Sequence, residues 1–492
     1  MKSGAVVGLV LLTFGAFASG EIIPGQAVSW TDFSHITCLA VSSELAYFGT
    51  TEGILRYHRY ENRWYDPITI SDGLPGHQIR RIAVPFDDAW IAVETEEGVY
   101  TYESALERWF LDTEFPDEFY QDSRPRPPLP NMFMPFGFNF DPQGFISDDR
   151  FREWQVTAIL DDQYSTLFIG SWGLGPLKSD NNDLEAKMIS YGLLQKRTDA
   201  IYMDGDSIWL AGNAGETVVD YPNARFGVTL YDRTDLHFEY FEPRFLHGFD
   251  SEVIYDIDGN DKNIYFAGRH GLTIKPRRED RFFTLRKGDG LPDNQATALA
   301  AHGDTVWVGT ARGLALYNSA KDSLWTVGSN ILGDKFITTL KNVGEILFIG
   351  TSKGAYYINY LNSEIGRLKD PEGILGSEIR DINLDDQNIL YVASSWGLSS
   401  IDLKSETAEP VPYIDEPGGV YAAAANHKYI AAAVEDGLVL IERKSGRVRK
   451  FSEDDGLLSI KINAIIVEGD YLWLGSEEGL TRFMWVNPER VD

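Results

Sequence analysis

The sequence predicts an all-β chain folded as a β-propeller of about ten four-stranded antiparallel blades, and three observations predict it. A segment of the form Val306-Trp307-Val308-Gly309-Thr310-Ala311-Arg312-Gly313-Leu314 recurs along the chain. It returns, for example, as Tyr47-Phe48-Gly49-Thr50-Thr51-Glu52-Gly53-Ile54 and as Leu472-Trp473-Leu474-Gly475-Ser476-Glu477-Glu478-Gly479. The small residue ending its first half falls at Ala267, Gly309, Gly350, Ala393, Ala433 and Gly475, in steps of 42, 41, 43, 40 and 42 residues. Between these segments comes a second phrase, seen as Asp72-Gly73-Leu74-Pro75, Asp289-Gly290-Leu291-Pro292 and Asp455-Gly456-Leu457-Leu458. A period near 40 residues with four short strands per unit is the pattern of a propeller rather than of a helical solenoid.

Each unit reads in the same order. An inner strand comes first, as in Ile79 to Val84 or Ala296 to Ala301, with small residues where strands converge on an axis. A polar turn follows, then a second strand carrying an aromatic core residue: Trp90, Phe168, Trp209, Phe266, Trp307, Phe348, Tyr391 and Trp473 in successive examples. A turn with Gly, which supplies positive φ, leads to a third strand. An outer strand such as Arg63 to Ile70 or Arg281 to Leu285 ends the unit. The last unit lacks its outer strand, whereas Ala27 to Phe33 forms a strand with no unit of its own. Pairing the two removes an exposed edge. The expectation is one ring closed by this N-terminal strand, with two smaller rings as the alternative.

Residues 1–20 read as a signal peptide: Lys2, an apolar stretch from Ala5 to Phe17, and the small-x-small site Ala16-Phe17-Ala18. Residues 21–492 are expected to form the propeller, with no integral membrane segment, as a monomer in the periplasm or outside the cell. A net charge of −30 argues against nucleic acid as partner, because phosphate recognition needs a basic surface. The single cysteine, Cys38, has no partner for an internal disulfide and is expected to pack in a strand.

The linker and hairpin phrases together resemble the two-component regulator propeller repeat, whose pattern is a Gly-Leu-Pro linker, an Ile-x-x-Ile strand and a Leu-Trp-Ile-Gly-Thr-x-x-Gly-Leu hairpin. The resemblance covers nearly all of residues 21–492 and implies a sensor-like propeller. Relatives often join it to a membrane helix and a histidine kinase; this sequence ends at Asp492 with neither, so no kinase role is expected.

Hairpins between second and third strands share one face of a propeller with the linkers between blades. Both long insertions fall on that face: residues 112–150, rich in Pro and Phe, and 213–226 in blade 4. Long loops on a rigid scaffold commonly carry binding. The hairpin tips also place Trp172 and Trp396 on blades 3 and 8, where a ring could stack on a sugar or peptide. Arg269 and His270, Arg312 and Lys353 stand at the tips of blades 5, 6 and 7, a basic arc suited to an anionic ligand. Glu435, Asp436, Glu477, Glu478, Glu52, Glu96 and Glu97 make an acidic arc opposite.

Catalytic signatures are lacking: there is no nucleophile elbow, no metalloprotease helix motif, no paired cysteines and no P-loop. Asp256-Ile257-Asp258-Gly259-Asn260-Asp261 has the look of a calcium loop, but its Gly is misplaced and no bidentate Glu follows, so it reads as a polar turn. His35 and His77, at the inner-strand entrances of blades 1 and 2, are weak acid–base candidates near the channel mouth. No cofactor or metal is expected. The reading is an exported, non-catalytic propeller that binds a carbohydrate, a peptide or an envelope protein. Its alternatives are a secreted polysaccharide lyase or hydrolase and a component of cell-envelope assembly or secretion.

Overall fold

The hairpin phrase folds as it does because each of its small polar residues closes the same turn. The hydroxyls of Thr50, Thr310, Thr351, Ser394 and Ser476 donate to the carbonyls of Gly53, Gly313, Gly354, Gly397 and Gly479 at 2.7–3.1 Å. The linker phrase is a cap. The backbone N–H groups of Thr69, Arg286 and Ser452 donate to Asp72, Asp289 and Asp455 at 2.8–2.9 Å, closing a single 3-10 turn. Gly73 (φ 74°) and Gly456 (φ 101°) then reverse the chain in a region closed to most side chains. Leu74, Leu291 and Leu457, next in each phrase, are buried in the core.

A computed structural model describes residues 18–19, 26–135, 137–180, 184–213, 223, 225–370, 372–405, 407–412, 414 and 418–486. The expected signal peptide, save Ala18–Ser19, and most of the 213–226 insertion lie outside these residues. Among the described residues the strands form ten sheets, nine of them with four antiparallel strands in chain order at their heart. Blade 1 is Ile36–Val41, Leu45–Thr50, Ile54–His58 and Arg63–Trp64. Blade 10 is Ile462–Glu468, Tyr471–Ser476 and Leu480–Met484, and its fourth strand is Ala27–Trp30, paired from Ala27 with Phe483 to Trp30 with Leu480. The N-terminal strand therefore takes the place that the unfinished last unit left open.

Neighbouring blades dock through the small residue of the hairpin phrase. A β-carbon at Gly309 would stand 2.5 Å from Ile337 Cγ2 of the next blade, and one at Gly350 would stand 2.8 Å from Ile379 Cγ2. This docking gives the order of the blades, and the order is not a single ring of ten. Blade 4 (inner strand Ala200–Asp204) and the blades after it adjoin in turn as far as blade 10, whose inner strand packs back against that of blade 4. Gly475 of blade 10 faces Thr198 and Ile201 of blade 4, and Thr198 N–H donates to Ser476 O at 2.8 Å. Blade 1 packs instead between blade 2 (inner strand Arg81–Ala83) and blade 3 (inner strand Glu153–Asp161), with Gly170 of blade 3 against Ile36. Seven blades thus form one group and three form another. The two-group arrangement replaces the expected single ring, because blades 3 and 4 follow one another in sequence without docking through this contact.

The three-blade group is filled by the first insertion. Its Tyr120–Ser123 stretch runs along the inner strands: Gln121 exchanges hydrogen bonds with Val41, Leu39 N–H donates to Ser123 Oγ, and Ile159 N–H donates to Ser123 O. Further on, Phe138–Asp141 and Phe145–Asp148 add a hairpin to blade 3. Leu129, Met132, Met134 and Ile146 bury themselves against Trp154, Val156 and Leu177. On blade 2, Phe119 packs against Trp90 at 5.0 Å. The insertion so covers faces that neighbouring blades would cover in a fuller ring.

Replacing Gly475 by Ala should destabilise the protein by about 1–3 kcal/mol, since the new methyl meets a backbone carbonyl of blade 4. Gly303 has positive φ and open space around it. Its change to Ala should cost less, about 1 kcal/mol. Urea unfolding of both variants measures the pair; equal and small effects would contradict the contact between blades 10 and 4.

Candidate functional site

Where the two groups of blades meet, the chain crosses twice. It leaves blade 10 through Thr31–Ser34 and returns to blade 4 through Ser190–Arg197; Leu193 N–H donates to Thr31 O at 2.8 Å, joining the two crossings. Below them lies one apolar cluster with side chains from blades 1, 3, 4 and 10, among them Trp30, Phe48, Phe168, Tyr231 and Trp473. Trp30 stacks on Trp473 at 5.8 Å, and its indole N–H donates to Tyr191 Oη at 3.2 Å. Tyr191 in turn donates to Tyr65 O at 3.0 Å, so its hydroxyl is tied to both groups.

Above Tyr191 opens a cleft of about 940 Å³, walled on one side by the top of blade 3 and on the other by blade 4. Trp172, at the tip of the blade 3 hairpin, keeps 46% of its surface exposed in it. Its ring meets His35 edge-on at 5.0 Å, and Gly173 N–H, donating to Ser34 O at 2.9 Å, holds the tip against the outgoing crossing. Gly173 has φ 98°, and a β-carbon there would crowd Trp154, so the tip sits close only because that residue is Gly. Phe145, Trp154, Tyr191 and Tyr240 complete the aromatic part of the wall.

The charged walls divide into engaged and free groups. Arg225 Nε pairs with Glu242 at 3.0 Å, and Arg152 reaches the same carboxylate at 2.9 Å while also holding Asp148. Lys196 lies 2.9 Å from both Glu52 and Glu478, joining blades 1, 4 and 10. Burial works against the Lys196 charge, but the two carboxylates outweigh it and hold its pKa above the usual lysine value. Among the described residues Asp32 accepts only the Ser34 N–H, at 2.9 Å, and the Glu153 carboxylate has no protein partner.

A second cavity, of about 410 Å³, is the channel on the axis of the seven-blade group. Its wall carries Asp256, Asp258, Asp381, Lys341 and Asn383. Each aspartate staples its strand to the next: Asp256 accepts Leu299 N–H at 2.7 Å, Asp258 accepts Ala301 N–H at 2.7 Å, and Asp381 accepts Ala423 N–H at 3.1 Å. Asp256 and Asp258 therefore belong to the inner strand Ile254–Gly259, not to the turn the sequence suggested. Burial raises all three carboxyl pKa values, that of Asp256 to about 7. No metal-holding group of acids, His and Cys occurs among the described residues.

Of the residues singled out from sequence, the structure brings Trp172 and His35 together and separates the rest from them. His77, on the blade 1–2 boundary, gives its N–H to Glu96 and does not line the cleft, and neither histidine lines the channel of the seven-blade group. Trp396 is 71% exposed on blade 8. Arg269, His270, Arg312 and Lys353 are exposed on blades 5 to 7, outside both cavities. Arg312 lies 3.7 Å from Asp293, and His270 Nδ1 sits 2.9 Å from Asp250 O. The residues missed from sequence are Asp32, Glu153, Tyr191, Lys196 and Tyr240. The Gly192-Leu193-Leu194 linker was the local signal near Tyr191 and Lys196.

No family model matches the chain, and no curated protein matches it. Solved structures do. PorZ, described as an essential bacterial surface component of the type-IX secretion system of Porphyromonas gingivalis, shares 11% identity over 94% of this chain and 87% of its own, with a TM-score of 0.61. Two extracellular domains from B. thetaiotaomicron also match. That of the one component system BT4673 has 14% identity over 93% of this chain and 71% of its own, TM-score 0.47. That of the hybrid two component system BT3049 has 13% over 92% and 68%, TM-score 0.48. At these identities the likeness to PorZ is one of fold.

The channel acids make stability depend on pH. An aspartate in an unfolded chain titrates near pH 4, whereas folded Asp256 titrates near 7. Between these values the folded state holds a proton that the unfolded state has released, so this contribution is complete below about pH 4 and is lost as pH rises through the folded value. Relative to Asp256→Asn, the urea midpoint of the unmodified protein should fall across that window. A constant difference would contradict the burial of this carboxyl.

Proposed function

We propose that this is an exported, non-catalytic binding platform whose ligand site is the cleft between blades 3 and 4. The observation that carries the reading is the cleft's construction. A half-exposed indole is held by a glycine-dependent contact above a floor of hydrogen-bonded tyrosine, in a volume within the ~300–1,000 Å³ usual for small-molecule sites. The signal-peptide-like start and the sensor-like repeats support export and recognition rather than catalysis. A short carbohydrate or peptide suits the site, since aromatic faces bind sugar rings and side chains alike. Trp396, Arg269, His270, Arg312 and Lys353 stand apart and would serve as peripheral contacts for a larger partner. Calorimetry against a panel of short glycans and peptides tests this. Trp172→Ala should weaken any hit at least about tenfold, the order of one lost aromatic contact, while Trp396→Ala should leave it unchanged. Equal binding by the Trp172→Ala protein would overturn the assignment of the site.

A second reading, a component of an envelope assembly, is favoured by the outer strand of blade 2 and by the likeness to a secretion-system surface protein. Phe110 and Leu111 are 43% and 72% exposed there, and Leu106 in the turn before it 57%, amid exposed Glu103, Glu107, Asp112, Glu114 and Glu118. Apolar side chains in an acidic field suit a basic protein partner. Changing Phe110 and Leu111 to Lys should abolish co-purification with such a partner without lowering the unfolding temperature. Retained co-purification would remove this surface from consideration.

A further inference from the structure

We propose that the cleft selects a ligand bearing a protonated amine beside an apolar ring or chain, an inference that rests on the cleft being the binding site. Both basic residues of its wall are already engaged. Arg225 and Arg152 are balanced by Glu242 and Asp148. Lys196 faces two carboxylates, Glu52 and Glu478, and so leaves one negative charge in excess. Asp32 and Glu153 line the same space; Asp32 gives one oxygen to Ser34 N–H, and Glu153 pairs with no cation among the described residues. An anion entering here meets unbalanced negative charge at short range, where screening by salt is weakest. An ammonium group meets free carboxylate oxygens and the exposed part of the Trp172 indole, whose ring quadrupole attracts a cation. The rest of the wall, Phe145 and Tyr240 over buried Tyr191, offers apolar surface for what carries the amine.

The shared chemistry could come from an amino sugar or from a lysine side chain in a short peptide, and the probes separate the two. Calorimetry with the purified chain would use a glucosamine disaccharide, its N-acetylated form, a glucuronic-acid-containing disaccharide, and a tripeptide with central Lys or acetyl-Lys. The expected result is that at least one amine probe binds about tenfold or more tighter than its acetylated counterpart. That preference should shrink in high salt and in the Asp32→Asn, Glu153→Gln double variant. Both replacements keep the size of the side chain, and an unchanged unfolding temperature would show that the variant is folded. Which amine probe wins names the source. If acetylated or acidic probes bind as well as the amines, and Trp172→Ala abolishes that binding, the cleft stands as the site and the charge selection is refuted. If no probe binds, or binding survives Trp172→Ala, the proposal fails together with the site.

Discussion

The arrangement of this molecule depends on one strand pairing, that of Ala27–Trp30 with Leu480–Met484. Because Ala27–Trp30 lies inside the last blade of the seven-blade group, everything between Trp30 and Ala200 must leave that group and come back beside the point of departure. Blades 1 to 3 are therefore an excursion anchored at both ends. The outgoing and returning crossings lie together, and the hydrogen bond from Leu193 to Thr31 records how closely. The cleft is a product of this topology. Its floor is the pair of crossings, and its walls are the last blade of the excursion and the first blade after the return.

A three-blade group poses a packing problem that a ring does not. Each blade is a sheet with two apolar faces, and in a ring both are covered by neighbours. Here blade 1 has two neighbours, whereas blades 2 and 3 each turn one face outward. Leaving such faces wet is costly, since burying one large aliphatic side chain is worth roughly 1.5–3 kcal/mol. The Pro- and Phe-rich insertion meets this need. Its first part covers Trp90 of blade 2, and its second part lays Leu129, Met132, Met134 and a hairpin on blade 3. The insertion expected to carry binding thus also has a packing role, through Leu129, Met132, Met134 and Ile146. The outer strand of blade 2, where Phe110 and Leu111 stay exposed, is left uncovered.

The blades were legible in the sequence because each carries its own turn chemistry. The Thr or Ser that closes the hairpin and the Asp that caps the linker act within a few residues of their partners, so a period of repeats reports them directly. The N-terminal strand was legible too, as the one strand without a unit matched to the one unit without a strand. The order of docking was not. Gly170 meets Ile36 and Gly475 meets Ile201 through the same kind of contact that joins Gly309 to Ile337. Nothing local marks which isoleucine each glycine will choose, and the choice is made by chain entropy, insertion length and the crossings. For that reason Trp172 and His35 could each be singled out without their partnership being visible across more than a hundred residues.

Electrostatics shows the same division between what is local and what is assembled. Tip charges read along the sequence suggested a basic arc, but a tip is a solvated place. A charge there is screened over about 8–10 Å, and acids stand near at least two of those cations. Inside the cleft the balance is set by pairing instead. Lys196 and Arg225 carry the positive charge one would look for, yet each is held by carboxylates: Glu52 and Glu478, distant in sequence, for one, and Glu242 of its own blade for the other. The Lys196 pairs, with Arg152 reaching Glu242, fasten the two groups of blades together, and with Arg225 held by Glu242 the cations are occupied structurally, which leaves Asp32 and Glu153 to define what a ligand meets. The contacts that hold the cleft open thus also give it its sign.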